Sequence, residues 1–308
     1  MTIRLGLGLP QMRQYDIGKD IPDVARAAER TGYESLWVFE RALFPDPPTQ
    51  GLYGVEGLPW PEGYRGVAEP LVSLTLAAAA TERALLGTSV LIAPLHVPFQ
   101  LAKSLATLDA ASGGRVVAGL GTGWSHDEYA AASVRPFAER GAALDELIGV
   151  CRAVWGPDPV GYDGEVTRIA SAAVGPKPAR PIPILLAASS GRARRRLVDR
   201  ADGWMPTGIG AGAVADQLRQ LRDLAAERGR TEPIRTTLRV NARYGAAAAG
   251  AERREFHGGV DRIVEDLTAY AGLGLDEILL DLQSTTRDAE ELKDVAAEVY
   301  EKARAAGI

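Results

Sequence analysis

Eight short apolar runs, separated by longer amphipathic or polar stretches, constrain the fold of this chain more than any other feature. The runs are mostly continuous, without strict alternation of apolar and polar residues, which is typical of parallel strands buried on both faces. Repeated strand–helix units predict a parallel sheet, and eight of them predict an α/β fold of the (β/α)8 TIM barrel type. An open doubly wound sheet is the alternative. The predicted strands are 3–9, 35–39, 85–93, 115–120, 182–187, 203–206, 234–242 and 277–282.

The stretches between the runs show helical spacing. Residues 21–30 and 260–273 are predicted to be helices, and Cys151 shares an apolar helical face with Leu147, which predicts a core position for the thiol. No tandem repeat or low-complexity segment interrupts the pattern. We therefore predict that residues 1–308 form a single domain.

Composition limits the classes of protein that this chain can belong to. Hydrophobic residues make up 46% and charged residues 24%, which is ordinary for a globular protein, and the net charge of -5 argues against nucleic-acid binding. The single cysteine cannot form an intrachain disulfide, and a reducing compartment suits it. No apolar run reaches the roughly 20 residues of a membrane span, and the N-terminal run lacks the features of a signal peptide. We expect a cytoplasmic protein that does not bind a membrane.

Two long segments do not fit a minimal barrel and predict insertions at its C-terminal face. Residues 43–69 follow the second strand and are rich in proline, glycine and aromatic residues. Tyr53, Trp60 and Tyr64 need a surface to pack on, so we interpret this segment as the wall of a substrate pocket. A surface excursion or a dimer contact is the alternative. Residues 156–181 are predicted to form a second rim loop with a hairpin near residues 161–164.

An anion site is predicted where the fifth strand leads into a helix. Ser189, Ser190 and Gly191 occupy that junction, and backbone N–H groups at a helix N-terminus bind anions when small residues allow close approach. The arginine-rich segment 192–196 follows at once. Cations in a first helical turn oppose the helix dipole, so their presence favours a bound anion. The alternative is an ordinary capping serine with a solvated basic face.

The order of several segments resembles a known superfamily. Residues 69–155 contribute most, supported by AERTGYESLWV at 28–38, PIPILLAASSGRARRRLVDRADGWMP at 181–206 and GGVDRIVEDLTAYAGLGLDEILLDL at 258–282. In combination these segments resemble the luciferase-like monooxygenase superfamily, and more narrowly its coenzyme F-420-dependent branch. The resemblance implies a bacterial luciferase-like barrel, a flavin-type cofactor and a homodimer.

The resemblance also implies where the cofactor binds. The family places the cofactor phosphate on the loop after the fifth strand, and a non-proline cis peptide, at the position of Ser89 and Val90, behind the cofactor ring. Gly121 and Gly123 would let the flat ring approach the loop after the fourth strand. The residues of this chain assigned to cofactor binding are Ser89, Val90, Thr122, Gly123, Trp124, Asp127, Ala188, Ser189, Ser190, Gly191 and Arg192.

Candidate acid–base groups are few. The family often has an acidic residue followed by histidine at the end of the second strand, whereas this chain has Glu40 and Arg41. The sugar-phosphate dehydrogenase of the F-420 branch has a glutamate at the position of Trp124, so this chain lacks both of that enzyme's acid–base residues and is not expected to be a glucose-6-phosphate dehydrogenase. Glu40 is expected to orient Arg41 or contact the ring, or to form a rim salt bridge. His126 and Asp127 are candidate proton relays, with a surface position as the alternative. No spacing predicts a metal site.

The first hypothesis is a coenzyme F-420-dependent oxidoreductase that transfers a hydride to or from a small organic substrate. The second is a flavin mononucleotide (FMN)-dependent two-component monooxygenase, served by a reductase partner that supplies reduced cofactor. A rival from another class is a non-catalytic flavin-binding protein.

Overall fold

Eight parallel strands close into a barrel in the computed structural model, which describes residues 2–133, 135–245 and 254–308. In chain order the strands are β1 (Arg4–Gly8), β2 (Ser35–Val38), β3 (Leu85–Thr88), β4 (Leu91–Ile92), β5 (Val116–Gly121), β6 (Val160–Asp163), β7 (Arg168–Ala172), β8 (Ile184–Leu186), β9 (Gly203–Trp204), β10 (Arg235–Asn241), β11 (Arg243–Tyr244), β12 (His257–Gly258) and β13 (Glu277–Asp281).

The barrel order is β3, β2, β1, β13, β10, β9, β8 and β5, and pairing of β3 with β5 through Leu86 and Val116 closes the ring. This confirms the TIM-barrel prediction. The predicted third strand consists of two segments, β3 and β4, and the peptide bond between Ser89 and Val90, which lie between them, is cis.

The helices surround the barrel as its outer layer. They are α1 (Ile17–Thr31), α2 (Pro70–Ala80), α3 (Pro98–Ser112), α4 (His126–Ala132), α5 (Arg140–Trp155), α6 (Gly191–Arg200), α7 (Ala211–Glu227), α8 (Val260–Thr268) and α9 (Ala289–Ala305). The prediction of a helix over 260–273 was wrong at its end, because α8 stops at Thr268 before a turn with Gly272 and Gly274 at positive φ. None of the described helices is long and apolar enough to cross a membrane.

The barrel interior is filled beneath the C-terminal face. Trp37 is fully buried, and a Cβ atom at Gly87 would lie 2.3 Å from its ring, so this glycine is needed to admit the indole. The indole N–H donates to Ser35 Oγ at 2.7 Å and to Glu277 Oε1 at 2.8 Å. The lower barrel is therefore a packed core, and Met205 above it forms part of the floor of a cavity.

Residues 43–69 leave the C-terminal face after β2, as expected, but the prediction was wrong for residues 156–181, which join the end of α5 to the start of β8 at the N-terminal end of the barrel. The hairpin prediction is confirmed by the antiparallel pair β6 and β7. Residues 43–69 hold two short 3-10 turns, Leu52–Gly54 and Glu62–Gly66, and otherwise follow an irregular path over the C-terminal face.

Candidate active site

A cavity of about 620 Å³ opens at the C-terminal ends of the barrel strands. This is the end at which TIM-barrel enzymes place their active sites, and the volume lies within the range of small-molecule sites. Two of its sides differ in chemistry. The arginine wall comprises Ala188, Ser189, Arg194 and Gln217; the aromatic wall comprises Phe39, Tyr53, Tyr64 and Trp124.

The arginine wall is formed by the segment after β8 together with Gln217 of α7. Arg194 donates to Gln220 Oε1 at 2.6 Å and to Gln217 Oε1 at 3.2 Å, and its Nε is buried with no partner among the described residues. Both partners are neutral amides. Arg194 therefore brings a positive charge to the cavity that no described carboxylate neutralises.

The arginines of α6 do not act as one cluster. Arg196 donates to both carboxylate oxygens of Asp145, at 2.7 and 3.0 Å, and so faces α5 rather than the cavity. Arg192 and Arg195 are exposed and have no hydrogen-bond or ion-pair partner among the described residues. The predicted basic cluster over 192–196 was therefore wrong in including Arg196, because its guanidinium is held by Asp145.

The predicted phosphate loop divides between the cavity and the helix cap. Ala188 and Ser189 line the cavity. Ser190 caps α6, its Oγ accepting from the N–H of Ala193 at 3.3 Å, which is the alternative that the sequence left open for a serine here. Gly191 and Arg192 begin the helix outside the cavity lining.

The loop after β5 contributes Thr122, Gly123 and Trp124 to the cavity lining. Ser89 and Val90, which form the cis peptide, also line the cavity. The Tyr129 hydroxyl donates to the Thr122 carbonyl, so the backbone of this loop is fixed from behind.

The glycines of this loop serve the packing of the protein itself. A Cβ atom at Gly121 would lie 2.6 Å from Cγ2 of Val90, and one at Gly123, where φ is +69°, would lie 2.5 Å from Cγ2 of Ile92. We expected these glycines to admit a cofactor ring. The space that their missing side chains leave is already occupied by Val90 and Ile92.

Glu40 reaches the cavity with both carboxylate oxygens engaged. Oε1 lies 2.8 Å from Nε2 of His96, and Oε2 accepts from the N–H of Ile92. Burial lowers the pKa of His96, but the hydrogen bond and negative charge of Glu40, with a smaller effect of Glu69, outweigh burial and raise it. Glu40 and His96 thus form a proton-holding pair beside the cavity, and His96 was missed because nothing in its sequence surroundings marks it.

Arg41 is paired with Glu128, not with the Glu40 carboxylate. Its Nη1 lies 2.9 Å from Oε2 of Glu128, and the two side chains are 10% and 1% exposed. The other Glu128 oxygen accepts from the N–H of Ala42 at 2.8 Å. The Arg41 guanidinium lies 5.1 Å from the ring centroid of Trp124, so it also stacks on the aromatic wall. The Glu40 side chain therefore does not orient Arg41, as had been expected. Only the backbone carbonyl of Glu40 contacts it, accepting from Nε of Arg41 at 2.8 Å.

A second buried ion pair lies at the cavity floor. Arg239 of β10 donates to Asp281 Oδ2 at 2.6 Å, to Asn241 Oδ1 at 3.0 Å and to the carbonyl of Ser89. It thereby links β10 and β13 to the segment between β3 and β4. Neither Arg239 nor Asp281 was singled out from the sequence. The feature that would have marked Arg239 is a charged residue inside the apolar run 234–242, and the one that would have marked Asp281 is an acidic residue at the end of β13.

His126 and Asp127, the candidate proton relays, lie outside the cavity lining. His126 is exposed and packs on Phe137, with ring centroids 4.1 Å apart. Asp127 accepts from the N–H of Thr49 at 3.1 Å and so holds the long segment 43–69. The structure therefore gives His126 the surface position that was its alternative.

Residues 43–69 form one side of the cavity, as the wall interpretation predicted. Tyr53 and Tyr64 line it, and Tyr53 and Trp60 pack on Trp124 at centroid distances of 5.5 and 4.9 Å. Gln50 fastens the segment by donating to the Trp124 carbonyl at 2.8 Å. The segment and the loop after β5 are thus one packed unit.

Comparison with known proteins identifies the family. Residues 7–307 match the luciferase-like monooxygenase family, and the chain belongs to it. An uncharacterized protein of Mycobacterium tuberculosis is 35% identical over 210 residues, which are 67% of this chain and 73% of that protein.

The chain is also similar to a named relative and to a solved structure. The F-420-dependent glucose-6-phosphate dehydrogenase of Nakamurella multipartita is 33% identical over 216 residues, which are 68% of this chain and 59% of that enzyme. A solved structure of an F-420-dependent secondary alcohol dehydrogenase with an F-420–acetone adduct has a TM-score of 0.75 at 15% identity, covering 99% of this chain and 100% of that one.

Proposed function

We propose that this protein is a coenzyme F-420-dependent oxidoreductase that transfers a hydride to or from a small organic substrate. One observation carries the choice of cofactor. Arg194 in the cavity, and the exposed Arg192 and Arg195 on the same helix outside the cavity lining, have no described carboxylate partner. Coenzyme F-420 carries a phosphate and a long acidic tail, so Arg194 suits the phosphate and the two exposed arginines suit the tail. FMN ends at its phosphate and leaves Arg192 and Arg195 without a role.

The residues present fit such a cofactor. Arg194, with its unpartnered Nε, and Ser189 would hold the phosphate, and the Thr122 hydroxyl would donate to the ring or its chain. When bound, the cofactor supplies the hydride chemistry. The protein's own groups hold protons beside the cavity: Glu40 lines it and is paired with His96.

The relatives support the cofactor more than the substrate. The dehydrogenase of Nakamurella multipartita is named for coenzyme F-420, which favours the same cofactor here. Its sugar-phosphate substrate is not proposed for this chain, because Arg41 and Trp124 stand where that branch has its acid–base residues. Glu40 with His96 is our candidate for the missing proton-transfer group.

The FMN-dependent monooxygenase is the second candidate, favoured by the closed aromatic wall that could keep water from a reactive flavin. A catalytically silent flavin-binding protein is the third, and turnover of any substrate would eliminate it. We also propose a cytoplasmic homodimer, and a separate reductase that supplies reduced cofactor; these proposals rest on the single cysteine and the family resemblance.

The test is a calorimetric titration of the purified protein with coenzyme F-420 and with FMN, repeated on Arg192→Gln and Arg195→Gln. We expect F-420 to bind more tightly, and each variant to weaken F-420 binding while leaving FMN binding unchanged. Arg26→Gln, which removes a charge from the outer face of α1, is the matched control. Equal or tighter FMN binding would transfer the proposal to the monooxygenase.

A further inference from the structure

We infer that the substrate is an uncharged, largely apolar molecule with a flat or ring-shaped part, bound against the aromatic wall. The inference rests on the proposed function for the position of the cofactor, and it adds the class of substrate. It depends on two observations about the described cavity lining: every charged side chain near the aromatic wall is already neutralised, and the wall presents aromatic faces.

The first charge near the aromatic wall is Arg41. Its ion pair with Glu128 is 2.9 Å long and almost fully buried, with side chains 10% and 1% exposed. The remaining Glu128 oxygen is held by the N–H of Ala42. Arg41 also stacks on Trp124, which fixes the plane of its guanidinium. An anionic substrate would have to displace Glu128 from this arrangement to gain the charge of Arg41.

The other two charged groups are compensated in the same way. Arg239 is 2.6 Å from Asp281, with side chains 13% and 7% exposed. Glu40 is 2.8 Å from His96 and also accepts from the backbone N–H of Ile92. A cationic substrate would therefore find the carboxylate of Glu40 already engaged, and an anionic one would find the guanidinium of Arg239 engaged.

A charged group brought to this wall would lose its hydration without gaining a free counter-charge. Such desolvation is expensive, and uncompensated charge in a site is a general means by which proteins reject a ligand. The contrast with Arg194 is direct, because that guanidinium is bonded only to the amides of Gln217 and Gln220. The cavity therefore separates an anion-binding side from a side that accepts neutral groups.

The aromatic side chains determine which substrate shape this wall favours. Phe39 and Tyr64 pack with centroids 5.5 Å apart, and Tyr53 and Trp124 pack at the same distance. Flat apolar groups gain most from such faces. Burial raises the pKa of Tyr64, with the neighbouring Tyr53 adding to it, so the phenol stays neutral and can donate to a carbonyl or hydroxyl oxygen. A ring-bearing ketone, aldehyde or alcohol matches these features.

The test uses protein saturated with F-420 and two pairs of small probes of similar shape, at pH 7.5. Benzaldehyde and benzyl alcohol are the neutral pair, and benzoate and phenyl phosphate are the anionic pair. Saturation-transfer NMR with calorimetry gives the affinities. We expect the neutral probes to bind at least about tenfold more tightly, a difference of about 1.4 kcal/mol. Equal or tighter binding of the anions overturns the inference.

Two variants make the test specific to charge compensation. Glu128→Gln and Asp281→Asn each leave an arginine of the same cavity without its counter-charge while keeping side-chain size. We expect each folded variant to gain affinity for benzoate by about tenfold or more and to bind benzyl alcohol as the natural chain does. Either variant can carry the test if the other fails to fold. No gain of benzoate affinity in a folded variant contradicts the inference.

The inference and the proposed function fail in different ways. Loss of the proposed function would appear in the cofactor titration, as an absence of F-420 binding before any probe is added. If the inference of an uncharged substrate is wrong, protein that does bind F-420 will also bind the anionic probes tightly. Because the probes are measured by binding, the result does not depend on turnover.

Discussion

The arginine wall of the cavity contains Arg194, and two further arginines, Arg41 and Arg239, contact rings of the aromatic wall, but the charges on the two sides have different partners. Arg194 is bonded to neutral amides and keeps its charge available, whereas Arg41 and Arg239 are each held by a buried carboxylate. A buried cation without a counter-ion is costly unless a ligand completes it. The presence of an arginine in a cavity therefore does not by itself indicate an anion site. The partner of its guanidinium does, because an arginine held by a carboxylate has no free charge for a ligand.

The largest expected effect lies in stability. Removing Glu128 with Glu128→Ala leaves Arg41 buried and unpaired, and we expect the free energy of unfolding to fall by about 3–5 kcal/mol. Arg194→Gln should change it by no more than about 0.5 kcal/mol, because no buried ion pair is broken. Urea unfolding of both variants measures the difference. Similar losses in the two variants would remove the distinction between the walls.

For cofactor affinity we expect the reverse order, with the larger loss in the Arg194 variant. Arg194→Gln removes a charge-assisted hydrogen bond to the proposed phosphate, so we expect a loss of about 1.5–3 kcal/mol in F-420 binding. The measurement is a calorimetric titration, with Arg26→Gln on α1 as the control for lost charge. An unchanged dissociation constant for Arg194→Gln would mean that the phosphate binds elsewhere.

The aromatic wall should matter for substrate more than for cofactor. Trp124→Ala removes the ring on which Tyr53 and Trp60 pack, so we expect roughly tenfold weaker binding of benzyl alcohol, since aromatic contacts contribute about 0.5–1.5 kcal/mol beyond the area they bury. Phe137→Ala, at a ring outside the cavity lining, is the control. A larger loss of F-420 affinity than of probe affinity would place Trp124 against the cofactor.

A smaller effect is expected at Thr122, which lines the cavity after β5. Thr122→Val keeps the shape of the side chain and removes its hydroxyl. We expect a loss of about 1 kcal/mol in F-420 affinity, the usual value of one net hydrogen bond. The titration that serves Arg194→Gln serves this variant too. If affinity does not change, the ring or its chain does not contact Thr122.

The smallest effect concerns pH. The pKa of His96 is raised in the folded protein by Glu40 against the opposing effect of burial, so its protonation stabilises the fold. This stabilisation is fully present below the ordinary histidine pKa and is lost as pH rises through the raised value. We expect the free energy of unfolding to decline over that window, and His96→Gln to flatten the decline. If the free energy of unfolding depends on pH in the same way in His96→Gln as in the natural chain, another group causes the decline.

The strands could be predicted from the sequence because burial on both faces imposes a pattern on each run separately. The pairings at the site could not. Arg41 was expected to interact with its neighbour Glu40, yet its carboxylate partner is Glu128, on α4. Arg196 was grouped with its neighbours on α6, but its guanidinium is held by Asp145 of α5. Such pairs depend on the paths of loops across the barrel end, and no local periodicity encodes those paths.

The central claim is that the cofactor's anionic part binds at Arg194 while the aromatic wall stays free of charge. The most direct measurement is a crystal structure of the protein bound to coenzyme F-420. We expect phosphate oxygens within hydrogen-bonding distance of Arg194 and Ser189, with the pairs Arg41–Glu128 and Arg239–Asp281 intact. A phosphate bound to Arg41 or Arg239, with either pair broken, would contradict this claim.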